Sequence, residues 1–173
     1  AAGASVQHTH SQLIATPIMP LHVREELETA KQYYQQRGRC IFCALIEREE
    51  CEAVRVIDRS SNFIVLCPFA SRVPYETWIL PTSHASHIED IKDHAVFELG
   101  KLVKQTISQL ETTTGGCAYN YLIHTAPLDS DRVETYHWHI EVFPRLAKAA
   151  GFEWGTGYFI NPIAPEDAAG RLR

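Results

Sequence analysis

Apolar residues recur at helical spacing in two long stretches of the chain. From Val23 to Tyr34 they fall three or four positions apart, and acidic residues occupy the first turns, so we predict an amphipathic helix that ends near Gly38. A second, longer pattern predicts a helix that opens at Asp90 and stops before Gly115. Glycine beyond the last apolar position is the expected stop signal in both cases.

Short runs rich in β-branched and aromatic residues predict strands around these helices. The predicted strands are residues 8–15, 53–57, 62–67, 77–80, 118–123 and 136–143. A short helical segment is predicted after Cys43, and the tail from Gly151 is predicted to be a loop and a last short strand rather than a helix. Because short turns join the strands, we predict the α+β class, with helices packed on an antiparallel sheet.

The composition is that of one acidic globular domain. The chain has 173 residues, with 16 basic against 21 acidic side chains and a formal net charge of −5, which argues against a sequence-independent nucleic-acid binder. No apolar run approaches the roughly 20 residues of a membrane span. We therefore expect neither nucleic acid nor a membrane as a partner. Five cysteines are an odd number for a disulfide framework, and we predict a reduced, cytoplasmic protein.

Cys40 and Cys43 have the C-x-x-C spacing of a metal site. Two histidines from elsewhere in the chain would complete a tetrahedral zinc site with two sulfur and two nitrogen ligands. The candidate histidines are His84, His87, His124, His137 and His139.

A second ligand set is rich in nitrogen and includes one carboxylate. Its members are Glu26, His124, His137 and His139. Such a set suits iron or zinc, but His137 cannot easily serve both sites. Because thiolates hold zinc more tightly than a carboxylate does, we favour the site built on Cys40 and Cys43.

Two short segments repeat the same pattern of histidines. The first has His8, His10 and Gln12, and the second has His137, His139 and Glu141. Alternate side chains of a strand share a face, so each set is expected to project together. A neutral imidazole beside an amide suits covalent phosphorus chemistry, while a metal-binding or a solvent-facing role for His8 and His10 stays open at this point. The echo indicates a duplicated unit whose first copy is incomplete.

Six motifs in order along the chain together resemble the C-terminal half of galactose-1-phosphate uridylyltransferases, a family of the histidine-triad superfamily, and are also similar to ADP-glucose phosphorylases. They are H-x-H-x-Q at 8–12, C-I-F-C at 40–43, P-Y-E-T-W-I-L-P at 74–81 with S-H-A-S-H after it, Y-N-Y-L-I-H-T-A-P at 119–127, H-W-H-I-E-V-F-P-R at 137–145 and G-F-E-W-G-T-G-Y-F-I-N-P at 151–162. The resemblance implies a histidine-triad-like antiparallel sheet with packed helices. Residues 21–173 would form one repeat, and residues 1–20 would be the last strand of a preceding repeat.

The resemblance also implies a reaction. In this family a histidine takes UMP from UDP-glucose and passes it to galactose 1-phosphate, a step of galactose metabolism. Carried over, His10 resembles the nucleophile, Gln12 the residue that binds the transferred phosphate, and His8 a zinc ligand whose partners lie in the first repeat. Thr9 stands where the family's motif usually has proline.

The metal and substrate residues follow from the same resemblance. The zinc site of members that keep the C-x-x-C motif corresponds to Cys40, Cys43, His84 and His137, whereas Glu26, His124, His137 and His139 correspond to the metal site of members that lack it. This chain contains both sets. The family's contacts to the sugar phosphate correspond to Phe152, Glu153, Gly155, Thr156 and Gly157.

Three alternatives accompany this interpretation. The chain could act as an ADP-glucose phosphorylase-like adenylyltransferase, or serve as a non-catalytic, zinc-stabilised half-domain. A histidine-triad hydrolase with His139 as nucleophile is disfavoured, because Glu141 replaces the third histidine. The expected partners are a UDP-sugar, a sugar 1-phosphate and either a second copy of the chain or a missing N-terminal half, which full activity would need.

Overall fold

The structure, a computed structural model, describes residues 8–14 and 17–173. Its described helices are α1 (Leu21–Arg37), α2 (Ile41–Glu52), α3 (Asp93–Thr114), α4 (Gly151–Thr156) and α5 (Pro165–Leu172). Its described strands are β1 (Val56–Arg59), β2 (Phe63–Leu66), β3 (Thr77–Pro81), β4 (Tyr119–His124) and β5 (His139–Pro144). None of these helices combines the length and apolar character that crossing a membrane requires.

The strands form one antiparallel sheet in the order β1-β2-β3-β5-β4. The last strand of the chain therefore inserts between β3 and β4. This register places Glu141 opposite Trp78 on one side and opposite Leu122 on the other, and it pairs His124 with His139. The α+β class and the antiparallel sheet are confirmed.

Each face of the sheet packs against its own helices. Val65 and Ile79 point to the core shared with α3 and α5, whereas Ile64 and Leu80 point to the core shared with α1 and α2. This division follows from the alternation of side chains along a strand. The imidazole of His139 lies on the α1 and α2 side, 4.8 Å from the ring of Phe42 between centroids.

The two long helices confirm the helical periodicity. α1 ends where Gly38 takes a φ of 67°, and α3 ends where Gly115 takes a φ of 74°. Left-handed positions of this kind favour glycine, which has no Cβ to clash. α3 begins at Asp93 rather than at Asp90, because residues 88–90 close a separate 3-10 turn.

Two predicted strands begin later than their patterns indicate. The strand predicted from residue 53 begins at Val56, because Ala53 caps α2 in a left-handed conformation with a φ of 56°. The strand predicted from residue 136 begins at His139, because the N–H of Trp138 donates to the carbonyl of Ala85 instead of to a neighbouring strand.

Residues 8–14 do not form the predicted first strand. A strand needs a hydrogen-bonded neighbour, and the described sheet ends at β1 and β4 without including this segment. Residues 1–7, 15 and 16 lie outside the described residues. The assignment of residues 1–20 to a preceding repeat therefore stays a prediction.

The prediction of a loop and a strand for the tail is wrong. α4 and α5 form there, and α5 carries the start signals of a helix, with proline in its first turn followed by Glu166 and Asp167. Its buried residues are Ala168, Ala169 and Leu172. They pack with α3 side chains in one core, so tertiary burial stabilises a helix that is too short to be stable alone.

Cys67 and Cys51 differ in burial and hence in expected reactivity. Cys67 is fully buried, and this burial raises the pKa of its thiol to about 12, whereas Cys51 is exposed. Because the thiolate is the reactive form, we expect iodoacetamide to label Cys51 in the native protein and Cys67 only after unfolding. Mass spectrometry of the digested protein measures both sites. Equal labelling rates under native conditions would contradict the buried position of Cys67.

Candidate metal centre

Four of the predicted ligands come together in space. The ligand atoms of Cys40, Cys43, His84 and His137 all lie within 4.8 Å of one another. Cys40 is the N-cap of α2 and Cys43 lies in its first turn, His84 follows β3, and His137 precedes β5. Two sulfur and two imidazole ligands in a compact group are the donor set of a structural zinc site.

Hydrogen bonds fix the orientation of both imidazoles. The Nε2–H of His84 donates to the carbonyl of Val133 at 3.2 Å, and that of His137 donates to the carbonyl of Pro81 at 2.9 Å. Because a carbonyl only accepts, both Nδ1 atoms are left with a free lone pair. They lie 3.4 and 3.5 Å from the Sγ of Cys43. A tetrahedral ion about 2.3 Å from sulfur and about 2.0 Å from nitrogen separates such atoms by about 3.5 Å.

A hydrogen bond couples the thiols of Cys40 and Cys43. A hydrogen bond from Cys43 outweighs the effect of burial and, with a further bond from His137, lowers the pKa of the Cys40 thiol to about 4. The same interaction with Cys40, together with burial, raises the pKa of Cys43. Cys40 and His137 are buried, whereas His84 is exposed. Solvent therefore reaches this centre from the side of His84.

The second predicted ligand set also comes together, but without one member. The ligand atoms of Glu26, His124 and His139 lie within 4.8 Å of one another. His137 belongs to the cysteine site instead, which corrects the prediction of a four-residue set. The reason is that β5 begins at His139, so strand alternation does not place His137 beside it.

Hydrogen bonds link the second set to neighbouring side chains. His124 Nδ1 lies 2.8 Å from a carboxylate oxygen of Glu26, and its Nε2 lies 3.3 Å from Glu141. Tyr136 donates to the other oxygen of Glu26 at 2.8 Å, and Arg72 donates to Glu141 at 2.7 Å. Both carboxylates of this cluster, those of Glu26 and Glu141, therefore have donors.

Charges within this cluster compensate one another. Burial would lower the pKa of His124, but the hydrogen bonds with Glu141 and Glu26 raise it to about 9. Burial would likewise raise the pKa of Glu141, but the bonds from His124 and His139 and the charge of Arg72 lower it. The charged groups of this cluster therefore compensate one another, and that compensation needs no fourth ligand.

His139 is not placed as an accessible nucleophile. Its side chain is 1% exposed, it stacks on Trp78 at 5.1 Å and on His124 at 4.7 Å between ring centroids, and Phe42 covers it from α2. A reacting phosphate would have to displace these rings. The geometry therefore gives no support to a hydrolase centred on His139.

The first histidine pair, in which His8 is exposed and His10 is partly buried, reproduces a detail of the second pair. His10 Nδ1 donates to the carbonyl of His8 at 3.0 Å, and His139 Nδ1 donates in the same way to the carbonyl of His137 at 3.1 Å. In His10 this bond places the lone pair on Nε2, whereas Nε2 of His139 faces the carboxylates of Glu26 at 3.6 Å and Glu141 at 3.8 Å. His8 and Gln12 are exposed, and His8 joins neither of the two described metal groups.

A side-chain hydrogen bond joins the described residues 8–14 to the sheet. The hydroxyl of Ser11 lies 3.1 Å from the hydroxyl of Tyr121 on β4. Tyr121, Leu122 and Ile123 are all at least partly exposed, and β4 is an edge strand of the described sheet.

The predicted sugar-phosphate residues lie in and just after α4, in the tail that the sequence pattern predicted to be a loop and a short strand. Phe152 and Trp154 are exposed, Glu153 accepts the N–H of Ala150, and Thr156 donates to the carbonyl of Phe152. Gly157 closes the helix with a φ of 74°. Their described polar contacts are local to the helix.

Sequence reasoning missed the side chains that complete both clusters. Tyr136 donates to Glu26 of the second set, and Arg72 donates to the neighbouring Glu141. The carbonyl of Val133 orients His84. No local pattern marks these residues, because each acts on a group more than 40 positions away in the chain. The S-H-A-S-H run did place polar residues near His84, which was a usable signal for Ser86.

Comparisons with known proteins give a consistent family. Residues 26–164 match the model of the galactose-1-phosphate uridyl transferase C-terminal domain. The chain is 38% identical over 99% of its length to an ADP-glucose phosphorylase of Arabidopsis thaliana and covers 48% of that protein. It is 30% identical over 99% of its length to a galactose-1-phosphate uridylyltransferase of Thermotoga maritima and covers 56% of it. The chain thus spans about half the length of these relatives.

Solved structures agree with the fold. A uridylyltransferase structure superposes with a TM-score of 0.91 at 32% identity, over 98% of this chain and 55% of that one. A histidine triad nucleotide-binding protein from Sulfolobus tokodaii superposes with a TM-score of 0.55 at 15% identity, over 77% of this chain and 89% of that one. The second similarity shows the fold alone, and it confirms the histidine-triad-like sheet.

Proposed function

The chain belongs to the galactose-1-phosphate uridyl transferase family, and on that premise we propose that it is the C-terminal half of a nucleotidyltransferase that moves UMP between UDP-glucose and galactose 1-phosphate. One observation carries the proposal. His10 donates its Nδ1–H to the carbonyl of His8 and so keeps the lone pair on Nε2, at a partly exposed position. An imidazole held in this way is suited to attack phosphorus.

The proposed transfer has two steps. His10 Nε2 forms a bond to the α-phosphorus of UDP-glucose while the bond from that phosphorus to the bridging oxygen breaks, and glucose 1-phosphate leaves. A phosphate oxygen of galactose 1-phosphate then attacks the same phosphorus, and the bond to His10 breaks as UDP-galactose forms. The amide of Gln12 donates to the phosphoryl oxygens in both steps.

Replacing the nucleophile tests this proposal. We expect UDP-glucose to add one uridylyl group to the full polypeptide that carries this chain, seen by intact mass, and we expect the His10→Ala variant to lose the adduct completely. The His22→Ala variant is the matched control, because His22 is an exposed histidine on α1. An adduct that survives in His10→Ala would move the nucleophile elsewhere.

An adenylyl transfer is the second candidate, and the 38% identity to an ADP-glucose phosphorylase favours it. In that reaction His10 would take AMP from ADP-glucose as glucose 1-phosphate leaves, and inorganic phosphate would then attack the same phosphorus, breaking the bond to His10 and giving ADP. Parallel incubation with ADP-glucose separates the two candidates, because the adduct then carries adenylyl instead of uridylyl. Absence of both adducts would leave the non-catalytic half-domain.

Zinc is the proposed metal, held by Cys40, Cys43, His84 and His137 as a structural clamp. The donor set and the 3.4 and 3.5 Å spacings support this identity. When bound, the ion would tie the start of α2 to the segments beside β3 and β5. The Glu26, His124 and His139 cluster is the alternative site for iron. His8 is proposed to complete a further site with residues outside this chain.

The substrate contacts, the partner and the location are proposed on the same premise. Phe152, Glu153, Gly155, Thr156 and Gly157 are proposed to contact the sugar phosphate, and the exposure of Phe152 supports this role. The apolar edge of β4 is proposed to pair with a second histidine-triad-like unit, either an N-terminal half or a second copy. A cytoplasmic location belongs to the same proposal, since the thiols of Cys40 and Cys43 must stay reduced to bind a metal.

A further inference from the structure

A chain of hydrogen bonds runs from two buried polar side chains to the exposed metal ligand. We infer that Ser86 and His87 are positioning residues for the metal centre, acting on His84 through the carbonyl of Val133. This inference rests on the proposed zinc site. Ser86 and His87 are each 5% exposed, and neither takes part in the proposed transfer chemistry.

The donors and acceptors in this chain follow one direction. The N–H of Val133 donates to Ser86 Oγ at 3.2 Å, so the Ser86 hydroxyl is free to donate to His87 Nδ1 at 2.8 Å. His87 Nε2–H then donates to the carbonyl of Pro127 at 3.2 Å. Every polar atom of these two side chains has a partner within the loop. The sequence made His87 a candidate metal ligand, but both of its ring nitrogens form hydrogen bonds within the loop instead.

The hydrogen bond at the Val133 end of this series determines the tautomer of His84. Val133 is held at its N–H by Ser86, and its carbonyl accepts Nε2–H of His84 at 3.2 Å. The peptide of Val133 is therefore clamped on one side and presents a fixed acceptor on the other. A fixed acceptor keeps the proton on Nε2 and the lone pair of Nδ1 toward the cysteines, as hydrogen-bond acceptors behind ligating histidines do in other metal sites.

His84 is the ligand for which such support has most effect. Cys40 and His137 are buried in the core, while His84 is exposed and follows β3 in a loop. Water can replace an exposed ligand more readily than a buried one. Loss of the His84 bond is therefore the expected first step of metal release, and its rate depends on how firmly the imidazole is held.

Other bonds join the same two segments without touching Val133. The hydroxyl of Thr125 accepts the N–H of Ile88 at 3.0 Å, and Arg132 pairs with Asp90 at 2.8 and 2.9 Å. These bonds hold the loop in place generally. Ser86 and His87 differ from these bonds because they orient the peptide of Val133. A variant that loses one of the other bonds is therefore a matched control.

Zinc release from the purified holoprotein to a chromophoric chelator tests the inference. We expect Ser86→Ala and His87→Phe to release zinc about tenfold faster than the unmodified protein, at the lower end of the effects known for residues that orient metal ligands. Thr125→Val, which loses a hydrogen bond of the same loop, is expected to release zinc at the original rate. Thermal unfolding of the zinc-free proteins shows whether the variants fold.

Cobalt substitution gives a second readout that a loss of stability alone would not change. We expect cobalt to lose part of its tetrahedral visible absorption both in the Ser86→Ala protein and in the His84→Ala protein. Original release rates and an unchanged cobalt spectrum in Ser86→Ala and His87→Phe would overturn the inference while leaving the zinc site intact. Failure of the unmodified protein to bind zinc at all would instead overturn the proposed site itself.

Discussion

Replacing both Cys40 and Cys43 by serine is expected to abolish zinc binding. The unmodified protein should carry roughly one zinc per chain, the stoichiometry of a four-ligand structural site. Serine hydroxyls do not ionise near neutral pH, so the variant keeps only the two imidazoles of the site. Elemental analysis of the purified proteins measures the difference, which we expect to be nearly complete.

The same variant is expected to lose stability along with the metal. A ligand that binds only the folded state at about a thousand times its dissociation constant stabilises that state by about 4 kcal/mol. The centre joins three segments that are distant in the chain, at the start of α2 and beside β3 and β5. Thermal unfolding should therefore move to lower temperature in the variant and, after chelation, in the unmodified protein.

Two further variants show whether the metal is held by Cys40 and Cys43 in particular. The Cys51→Ser, Cys117→Ser double variant removes two cysteines that lie outside the candidate site, so it should keep its zinc. Metal retained after loss of Cys40 and Cys43, but lost in Glu26→Gln, would assign the ion to the second cluster and contradict our choice of ligands.

Replacing Arg55 by methionine is expected to cost about 3–5 kcal/mol of unfolding free energy. Arg55 is 4% exposed and donates to Glu49 at 2.9 Å and to Glu166 at 2.6 Å, and it also bonds to Glu52. It therefore joins α2 to α5. Glu49, which is 2% exposed, would be left as an uncompensated charge in the interior. Urea unfolding monitored by fluorescence measures the loss.

Two further variants separate the buried charge from general effects. Arg48→Met removes an arginine from an exposed pair with Glu52 and should leave the unfolding midpoint nearly unchanged. Adding Glu49→Gln to Arg55→Met should restore part of the lost stability, because it removes the unpaired charge. A small effect of Arg55→Met alone would show that water or another cation compensates Glu49.

Much of the fold follows from local patterns. The periodicity from Val23 and the glycines at 38 and 115 predicted two helices and their ends, because helix geometry depends on residues three or four apart. The tail was mispredicted, since α5 is short and forms against a core built by distant strands. The strand predicted at residues 8–15 does not form over its described part for a related reason, because no strand of the described sheet pairs with it.

The sequence by itself determined which chemical groups are present: a C-x-x-C pair, two H-x-H segments and the motifs of the uridyl transferase family. Only the tertiary structure decided how they combine. β5 lies between β3 and β4, and this strand order brings His84 and His137 to the cysteines while His124 and His139 join Glu26. Distances between residues 40 to 100 positions apart depend on sheet order and on buried charge partners, and neither leaves a periodic mark in the chain.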